Sequence, residues 1–196
     1  SLAHVLSEIG FPAVQLEGGY RTWRRHVVAR LATLPAAFRY RVVCGVTGSG
    51  KSRLLAALDA EGAQVLDLEG LAQHRGSLLG DVPGAPQPSQ KAFETALHET
   101  YARFDPRRVV WIESESRKIG ALQVPDALLE RMRAAPCARV ELPAASRIAL
   151  LKEEYAHFLA DPGALAARLA HLKELRGQAT IARWSDLAHA GDFDAL

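Results

Sequence analysis

The segment that most constrains how this chain can fold is the glycine-rich stretch at residues 45–52. It reads Gly-Val-Thr-Gly-Ser-Gly-Lys-Ser and matches the pattern G-x-x-x-x-G-K-[ST] at each fixed position. A short apolar run at 40–44 precedes it, and a leucine-rich helical pattern begins near Lys51. Because strand, loop and helix follow in that order, the segment predicts a phosphate-binding P-loop (Walker A motif) on an α/β domain rather than a glycine-rich turn that matches by chance.

The residue types in this loop suit an anion. Glycines allow positive φ, so that successive backbone N–H groups can point at one phosphate, and the following helix adds its positive end. Lys51 supplies a full charge, and the Ser52 hydroxyl is the predicted Mg²⁺ ligand. The motif predicts a phosphate group rather than a reaction, because ATP and other diphosphates satisfy the same amides. The predicted phosphate-binding residues are Gly45, Thr47, Gly48, Ser49, Gly50, Lys51 and Ser52.

Strand and helix patterns alternate from Tyr40 onward, which predicts a mostly parallel sheet flanked by helices and joined by right-handed crossovers. Beyond Pro143 the pattern predicts a helical region. The predicted strands are 40–44, 63–67, 108–113 and 138–142, and the predicted helices between them are 51–60, a helix capped by Ser89, and 125–134.

The first 31 residues form a separate pattern, with a predicted helix at 3–9, a short strand at 13–16 and a helix at 20–31. Such a segment has too few apolar positions to close a core of its own. We therefore predict that 1–31 is the tail of a preceding domain, that 32–39 is a linker, and that 40–196 is a P-loop domain truncated at its C-terminus.

Composition and charge limit the class of protein. The chain is 48% hydrophobic and 23% charged with a net charge of +2, and it has no apolar stretch near the roughly 20 residues that cross a membrane. Cys44 and Cys137 are the only cysteines, too few and too scattered for a disulfide framework or a cysteine zinc site. We therefore predict a cytoplasmic protein that does not associate with membranes.

Acidic residues follow two of the predicted strands, at the sheet edge where working residues of an open α/β sheet collect. The candidates for catalytic or metal-polarising carboxylates are Asp67, Glu69, Glu113 and Glu115. Glu113 directly ends its strand and is the strongest of them; the alternative for all four is a solvated strand end.

Polar and basic residues in the loops are candidates for binding substrate or a nucleic-acid backbone. Residues 1–41 carry six arginines against two glutamates, for which the alternative is an ordinary solvated face. We predict that these arginines, with Arg75, Arg117 and Lys118, form one basic surface leading to the P-loop, the alternative being a contact with a preceding domain. The binding candidates are His74, Arg75, Ser77, Gln87, Ser89, Gln90, Arg117, Lys118, Arg24 and Arg25.

With these motifs in view, the chain resembles the tRNA 2-selenouridine synthase family, which joins an N-terminal rhodanese-like domain to a C-terminal P-loop domain. The resemblance covers nearly the whole chain. Its most specific parts are the run from Asp67 to Ser77 and the run from Glu113 to Gly120, which general P-loop kinases lack. The other matching segments are 16–20 with Trp23-Arg24, the P-loop, 87–90 and 153–155.

The resemblance implies a tRNA-modifying transferase. Its substrate would be the wobble 2-thiouridine in the tRNA anticodon loop, alkylated by geranyl diphosphate and then converted to 2-selenouridine by selenophosphate. The P-loop would hold the departing diphosphate, and an enzyme that makes selenophosphate would be a further partner. The rhodanese-like domain's catalytic cysteine would lie upstream of Ser1 rather than at Cys44 or Cys137, so this fragment is expected to be incompletely active.

Two other classes of function remain open on the sequence. A P-loop alone suffices for a small-molecule kinase or NTPase. The chain could also be a non-catalytic tRNA-binding module in which the P-loop is a structural anion site.

Overall fold

The computed structural model describes residues 2–77 and 79–196. Its strands are β1 (Arg39–Cys44), β2 (Gln64–Leu66), β3 (Val109–Glu113), β4 (Lys118–Ile119), β5 (Leu122–Gln123) and β6 (Cys137–Arg139). Its helices are α1 (Leu2–Glu8), α2 (Gly19–Leu31), α3 (Lys51–Ala60), α4 (Leu68–Ala72), α5 (Gln90–Arg103), α6 (Asp126–Ala134), α7 (Ala144–Glu154), α8 (Ala156–Ala160), α9 (Pro162–Ala170), α10 (Lys173–Arg176) and α11 (Gln178–Ala190).

The main sheet of the described residues has the strand order β2-β3-β1-β6, and each neighbouring pair is parallel. Tyr40 lies opposite Val110, and Val42 lies opposite Ile112. Because side chains alternate across a strand, these four residues share one face of the sheet and are buried there. The predicted α/β fold with a parallel, helix-flanked sheet is confirmed.

Two side-chain caps begin helices at positions that matter for the site. Ser89 accepts a hydrogen bond from the backbone N–H of Ala92 at the start of α5. Asp67, which follows β2, accepts one from Gly70 at 2.7 Å and so begins α4. The helix predicted after Ser89 is confirmed, as is α3 directly after the P-loop.

One apolar core joins the sheet to α2, α5 and α6. Val27 and Leu31 of α2 are buried in it together with Phe93 and Leu97 of α5. The packing therefore places α2 with the α/β core, whereas the assignment of 1–31 to the tail of a rhodanese-like domain stays a prediction.

One local prediction was wrong, since residues 13–16 form no strand. Residues 32–39 contain a 3₁₀ turn, Leu34–Ala37, with Pro35 and Phe38 buried, and their role as a linker between two domains stays a prediction. Apolar packing of Pro35 and Phe38 outweighs the linker-like composition of that segment.

The two cysteines form a disulfide, although their wide spacing in the sequence argued against one. Cys44 ends β1 and Cys137 begins β6, and the parallel pairing of these strands brings their Cα atoms to 6.2 Å across a separation of 93 residues. That Cα distance lies within the range that disulfides span. Spacing along the chain did not reveal the pair because strand order had not been predicted.

A second apolar cluster holds the C-terminal helices together. Tyr155, Phe158, Leu165, Leu169 and Ala188 form its buried part, and Leu79 packs against it. Leu79 lies in the loop that follows α4, so this cluster ties the C-terminal helices to that loop. None of the helices among residues 2–77 and 79–196 is long and apolar enough to span a membrane.

Candidate functional site

A cavity of about 540 Å³ opens at the carboxyl ends of β1 and β2, where the P-loop lies. The loop after α4 and the segment after β3 form its other walls, and Tyr155 lies at its rim. From the P-loop it is lined by Gly45, Thr47, Gly48, Gly50, Lys51 and Ser52. From the rest of the chain it is lined by Asp67, Glu69, Gly70, Gln73, His74, Arg75, Gly76, Ser77, Val82, Ser114, Glu115, Ser116, Glu154 and Tyr155.

The P-loop backbone has the conformation that its glycines allow. Gly48 and Gly50 have φ values of 76° and 86°, a region that side chains other than glycine rarely adopt. The Lys51 ammonium donates to the carbonyl oxygen of Gly45 at 3.1 Å, so the Lys51 side chain folds back onto the P-loop. Ser49 is 1% exposed, and its hydroxyl has no hydrogen-bond partner among the described residues.

Helix α7 packs closely against the P-loop. A Cβ atom added at Gly48 would lie 2.6 Å from Cγ of Leu151, so a larger residue would collide with that helix. Two features of this position therefore require glycine: the positive φ and the close approach of Leu151.

Two acidic side chains that line the cavity, Glu69 and Glu115, form a carboxyl pair near Lys51. Their carboxyl groups interact with each other, and the Ser52 hydroxyl donates to Glu69 at 3.2 Å. Burial, followed by the charge of Glu115, raises the pKa of Glu69 to about 7, and burial also raises the pKa of Glu115. The nearby charge of Lys51 opposes both shifts. The pair can therefore hold a proton near neutral pH and release it to, or take it from, a bound group.

The other two predicted carboxylates have different positions. Asp67 lines the cavity, where it caps α4. Glu113 does not line the cavity: it is 2% exposed and accepts a hydrogen bond from the backbone N–H of Glu69 at 2.8 Å. Burial, and then the charge of Asp67, raises the pKa of Glu113 to about 8. The prediction that Glu113 acts as a polarising carboxylate in the cavity is not supported, because the side chain supports α4 from beneath.

Ser52, the predicted Mg²⁺ ligand, contacts one carboxylate, that of Glu69. Within the described residues, no three histidine, cysteine or acidic side chains converge on a metal position. Mg²⁺ typically takes one or two carboxylates, several waters and the substrate's own phosphate oxygens. The Ser52 hydroxyl and Glu69 carboxylate, which contact each other, fit that requirement, so these two residues would hold the ion beside a bound diphosphate.

The loop after α4 is fixed to the C-terminal helices by polar contacts. Arg75 donates to the carbonyl oxygen of Glu154 and lies over the Tyr155 ring, 5.2 Å from its centroid. Ser77 and Tyr155 share a hydrogen bond of 2.8 Å between their hydroxyl groups. Arg75 and Ser77, both predicted binding residues, therefore line the cavity with their positions fixed by Tyr155.

His74 is a supporting residue in the same wall. It is 6% exposed, its Nδ1 accepts from the N–H of Gly76 at 3.1 Å, and its Nε2 lies 3.4 Å from Asp81. Burial and the charge of Arg168, which pairs with Asp81, lower its pKa, so the neutral ring is favoured.

The predicted residues Gln87, Ser89 and Gln90 lie outside the cavity and support its walls. The Gln87 amide donates to the carbonyl oxygens of Ala72 and Ile119 at 3.2 and 3.0 Å and accepts from Ala121 at 2.8 Å. It thus joins the end of α4 to the β4–β5 hairpin. Gln90 bonds in the same way to Gln123 of that hairpin.

The structure does not bring the remaining predicted basic residues to the cavity. Arg24 forms an ion pair with Glu94 of α5, and Arg25 donates to Thr22. Arg117 pairs with Asp126, and Lys118 lies exposed on the hairpin. Of the surface predicted to lead to the P-loop, only Arg75 lines the cavity.

Sequence reasoning missed Gly76 and Tyr155 as site residues. Tyr155 is buried in the apolar cluster of the C-terminal helices, and its hydroxyl also faces Ser77. Gly76 has a φ of 63°, and a Cβ atom added to it would lie 2.6 and 2.8 Å from carboxylate oxygens of Glu115 and Glu69. A glycine directly after two polar residues of a loop was the available signal.

We expect Gly76→Ala to lower the free energy of unfolding by about 2 kcal/mol and to weaken phosphate binding, because the methyl group both strains the backbone and displaces the carboxyl pair. Gly84→Ala is the matched control, since Gly84 has a similar φ of 74° and open space where the methyl group would lie. Urea denaturation and calorimetric titration measure both variants. Equal losses for the two variants would contradict the predicted collision.

Comparison with known proteins identifies the family. A family model described as the tRNA 2-selenouridine synthase AAA domain matches residues 38–178. Proteins named tRNA 2-selenouridine synthase are similar to this chain: that of Aeromonas salmonicida is 35% identical over 156 residues, and that of Salmonella newport is 39% identical over 156. These matches cover 79% and 76% of this chain and 41% and 40% of the relatives, so the chain spans about two fifths of their length.

One solved structure, a DNA replication initiation factor, is 18% identical with a TM-score of 0.30 and covers 74% of this chain and 53% of that one. A similarity this weak does not establish a relationship between the two proteins. The family model, in contrast, matches most of the chain, from the residue before β1 to the start of α11. The chain belongs to the tRNA 2-selenouridine synthase family.

Proposed function

We propose that this chain provides the diphosphate-binding part of a tRNA 2-selenouridine synthase, in which geranyl diphosphate alkylates the wobble 2-thiouridine before selenium from selenophosphate replaces the sulfur. The observation that carries the proposal is the arrangement of the cavity. The P-loop and Lys51 line it together with a carboxyl pair that can exchange a proton. The family to which the chain belongs supports tRNA as the substrate.

The alkylation step makes demands that this cavity meets. The sulfur of 2-thiouridine attacks the first carbon of the geranyl group, a carbon–sulfur bond forms, and the carbon–oxygen bond to diphosphate breaks. Negative charge develops on the leaving diphosphate, where Lys51 and the P-loop amides stabilise it. The uridine loses its ring proton as the sulfur is alkylated, and Glu69 or Glu115 accepts that proton.

The second step exchanges sulfur for selenium at the same base. Selenophosphate also carries a phosphate group, so the same amides and Lys51 can hold it once diphosphate has left. The selenium of selenophosphate adds to the base carbon that carries the geranylated sulfur, and the carbon–sulfur bond breaks with release of geranyl thiol. Water then cleaves the phosphorus–selenium bond, which releases inorganic phosphate and returns the ring proton to give 2-selenouridine. This sequence requires one anion site to serve two donors in turn. We propose that the activity is cytoplasmic, where its tRNA substrate is found.

Geranyl transfer to an anticodon stem–loop RNA that contains 2-thiouridine tests the proposal. Incubation with geranyl diphosphate is expected to add one geranyl group to the RNA, seen by mass spectrometry, and to release diphosphate. The same RNA with unmodified uridine is the control, because it offers no sulfur nucleophile. ATP hydrolysis without geranyl transfer would favour the kinase or NTPase alternative instead.

A further inference from the structure

A second concave surface lies at the end of the sheet opposite the P-loop. It is a groove of about 320 Å³ where the amino ends of β1 and β3 meet the C-terminal turn of α6. Three arginines line it, Arg39 and Arg41 of β1 and Arg131 of α6, and none of its lining residues is acidic. We call this the arginine groove.

The charges of the arginine groove are not neutralised within the fold. All three side chains are exposed, and none of them belongs to an ion pair among the residues that the structure describes. Nearby Arg107 differs, since Asp105 balances its charge. Three unbalanced guanidinium groups around one concavity repel one another, so an anion that enters the groove relieves that repulsion.

Two of the guanidinium groups are held in place by contacts with neighbours. Arg39 donates to the carbonyl oxygen of Arg107 at 2.7 Å, which uses one of the five N–H donors of its guanidinium group. Arg41 lies over the ring of Trp111, 5.8 Å from its centroid. Guanidinium groups whose positions are already fixed lose less entropy when they bind a phosphate.

We propose that the arginine groove binds the phosphate backbone of the tRNA, at nucleotides away from the base that enters the P-loop cavity. This rests on the proposed function, which makes RNA the substrate. β1 connects the two places directly: it begins at the groove and ends at Cys44, beside Gly45 of the P-loop. Six strand residues span roughly 20 Å, so one RNA stem can contact both.

The form of the groove favours an RNA backbone over a small anion. The arginines are exposed along an open surface, and two further exposed arginines, Arg108 and Arg133, are neighbours in sequence of the lining residues Val109 and Ala134. Phosphate contacts of this kind position an RNA without reading its sequence. The groove would therefore fix the orientation of the tRNA, while the cavity selects the modified base.

The test is a fluorescence anisotropy titration of the full chain with an anticodon stem–loop RNA across a salt series. Loss of two phosphate contacts in R41Q/R131Q is expected to weaken binding roughly 30-fold at 0.1 M salt and to lower the slope of log K against log salt by about one to two. R176Q/R183Q is the matched control, because both arginines are exposed on the C-terminal helices and form no described ion pair. R41K/R131K should recover most of the affinity, since lysine also contacts phosphate.

Thermal unfolding of each variant checks that it folds. Equal affinity and slope for R41Q/R131Q and the unaltered chain would overturn the arginine groove as an RNA site while leaving the proposed function in place. An equal loss in R176Q/R183Q would also overturn it, since the charge effect would then not depend on position. Failure of the unaltered chain to bind the RNA at any salt concentration would count against the proposed function itself.

Discussion

Lys51→Ala is expected to weaken the binding of inorganic diphosphate by roughly 30- to 150-fold, equivalent to about 2 to 3 kcal/mol. The variant loses the full charge that the P-loop directs at the anion. Its ammonium contacts the carbonyl oxygens of Gly45 and Val46 at 3.1 and 3.4 Å, so it is held at the loop before any ligand arrives. A donor that is already in place needs little reorganisation to bind an anion.

A second effect of the same substitution partly offsets this loss, because a carboxyl pair that stays protonated repels diphosphate less. The Lys51 charge lowers the pKa values of Glu69 and Glu115, so its removal lets the carboxyl pair keep its proton to higher pH. The diphosphate affinity of the variant should therefore depend less steeply on pH near neutrality than that of the unaltered chain.

Isothermal titration calorimetry with diphosphate, geranyl diphosphate and ATP measures the loss for each ligand. Lys91→Ala on α5 is the matched control, because it removes an exposed lysine that does not line the cavity. An unchanged diphosphate affinity in the Lys51 variant would show that the P-loop is not the anion site. A loss confined to ATP would favour the kinase or NTPase alternative.

The parts of the fold that could be predicted from the sequence are those whose signals are local. The P-loop fixes its own backbone through Gly48 and Gly50, so the motif and the helix that follows it were predictable residue by residue. The start of α5 was predictable for the same reason, because the Ser89 side chain caps the helix by accepting a hydrogen bond from Ala92, only three residues later. The parallel sheet followed from alternating patterns that need no knowledge of strand order.

The parts that could not be predicted depend on which strands become neighbours. The Cys44–Cys137 disulfide exists because β6 joins the sheet beside β1, and strand order is not written in the spacing of two cysteines. The role of Tyr155 depends on a loop 78 residues earlier in the chain. Gln87 looked like a binding residue, yet its amide joins α4 to a hairpin whose strands were too short to predict.

The candidate site was predictable in its residue types rather than in their roles. Glu69 and Glu115 were correctly placed at the edge of the cavity by the rule that strand ends meet there. The same rule placed Glu113 in the cavity, where it is not. The last side chain of a strand can point either to solvent or beneath a neighbouring helix. Because side chains alternate between the two faces of a strand, buried Ile112 places Glu113 on the other face, but this does not predict whether Glu113 is buried there.

Glu113 gives the second large prediction, which concerns pH and stability. Its side chain is 2% exposed, and Oε2 has no hydrogen-bond partner among the described residues, so few contacts compensate a negative charge there. The folded-state pKa of about 8 lies above the ordinary value of 4.5. Between these values the unfolded chain releases the proton while the folded chain keeps it. The contribution to stability is therefore complete below about pH 4.5 and is lost as pH rises towards 8.

Glu113→Gln should remove this dependence. Glutamine keeps an oxygen that can accept the N–H of Glu69, and it carries no titrating proton. Urea denaturation at intervals between pH 4.5 and 8.5 should show the unaltered chain losing roughly 3 to 5 kcal/mol more than the variant over that range. Glu61→Gln is the matched control, because that side chain is exposed to solvent.

Diphosphate binding gives a second check on Glu113→Gln. Since Glu113 also holds the backbone of Glu69, this variant should bind diphosphate normally at low pH if its only missing property is the ionisable proton. Parallel stability curves for the variant and the unaltered chain would mean that Glu113 is already ionised in the folded protein and that its buried charge is compensated by its surroundings.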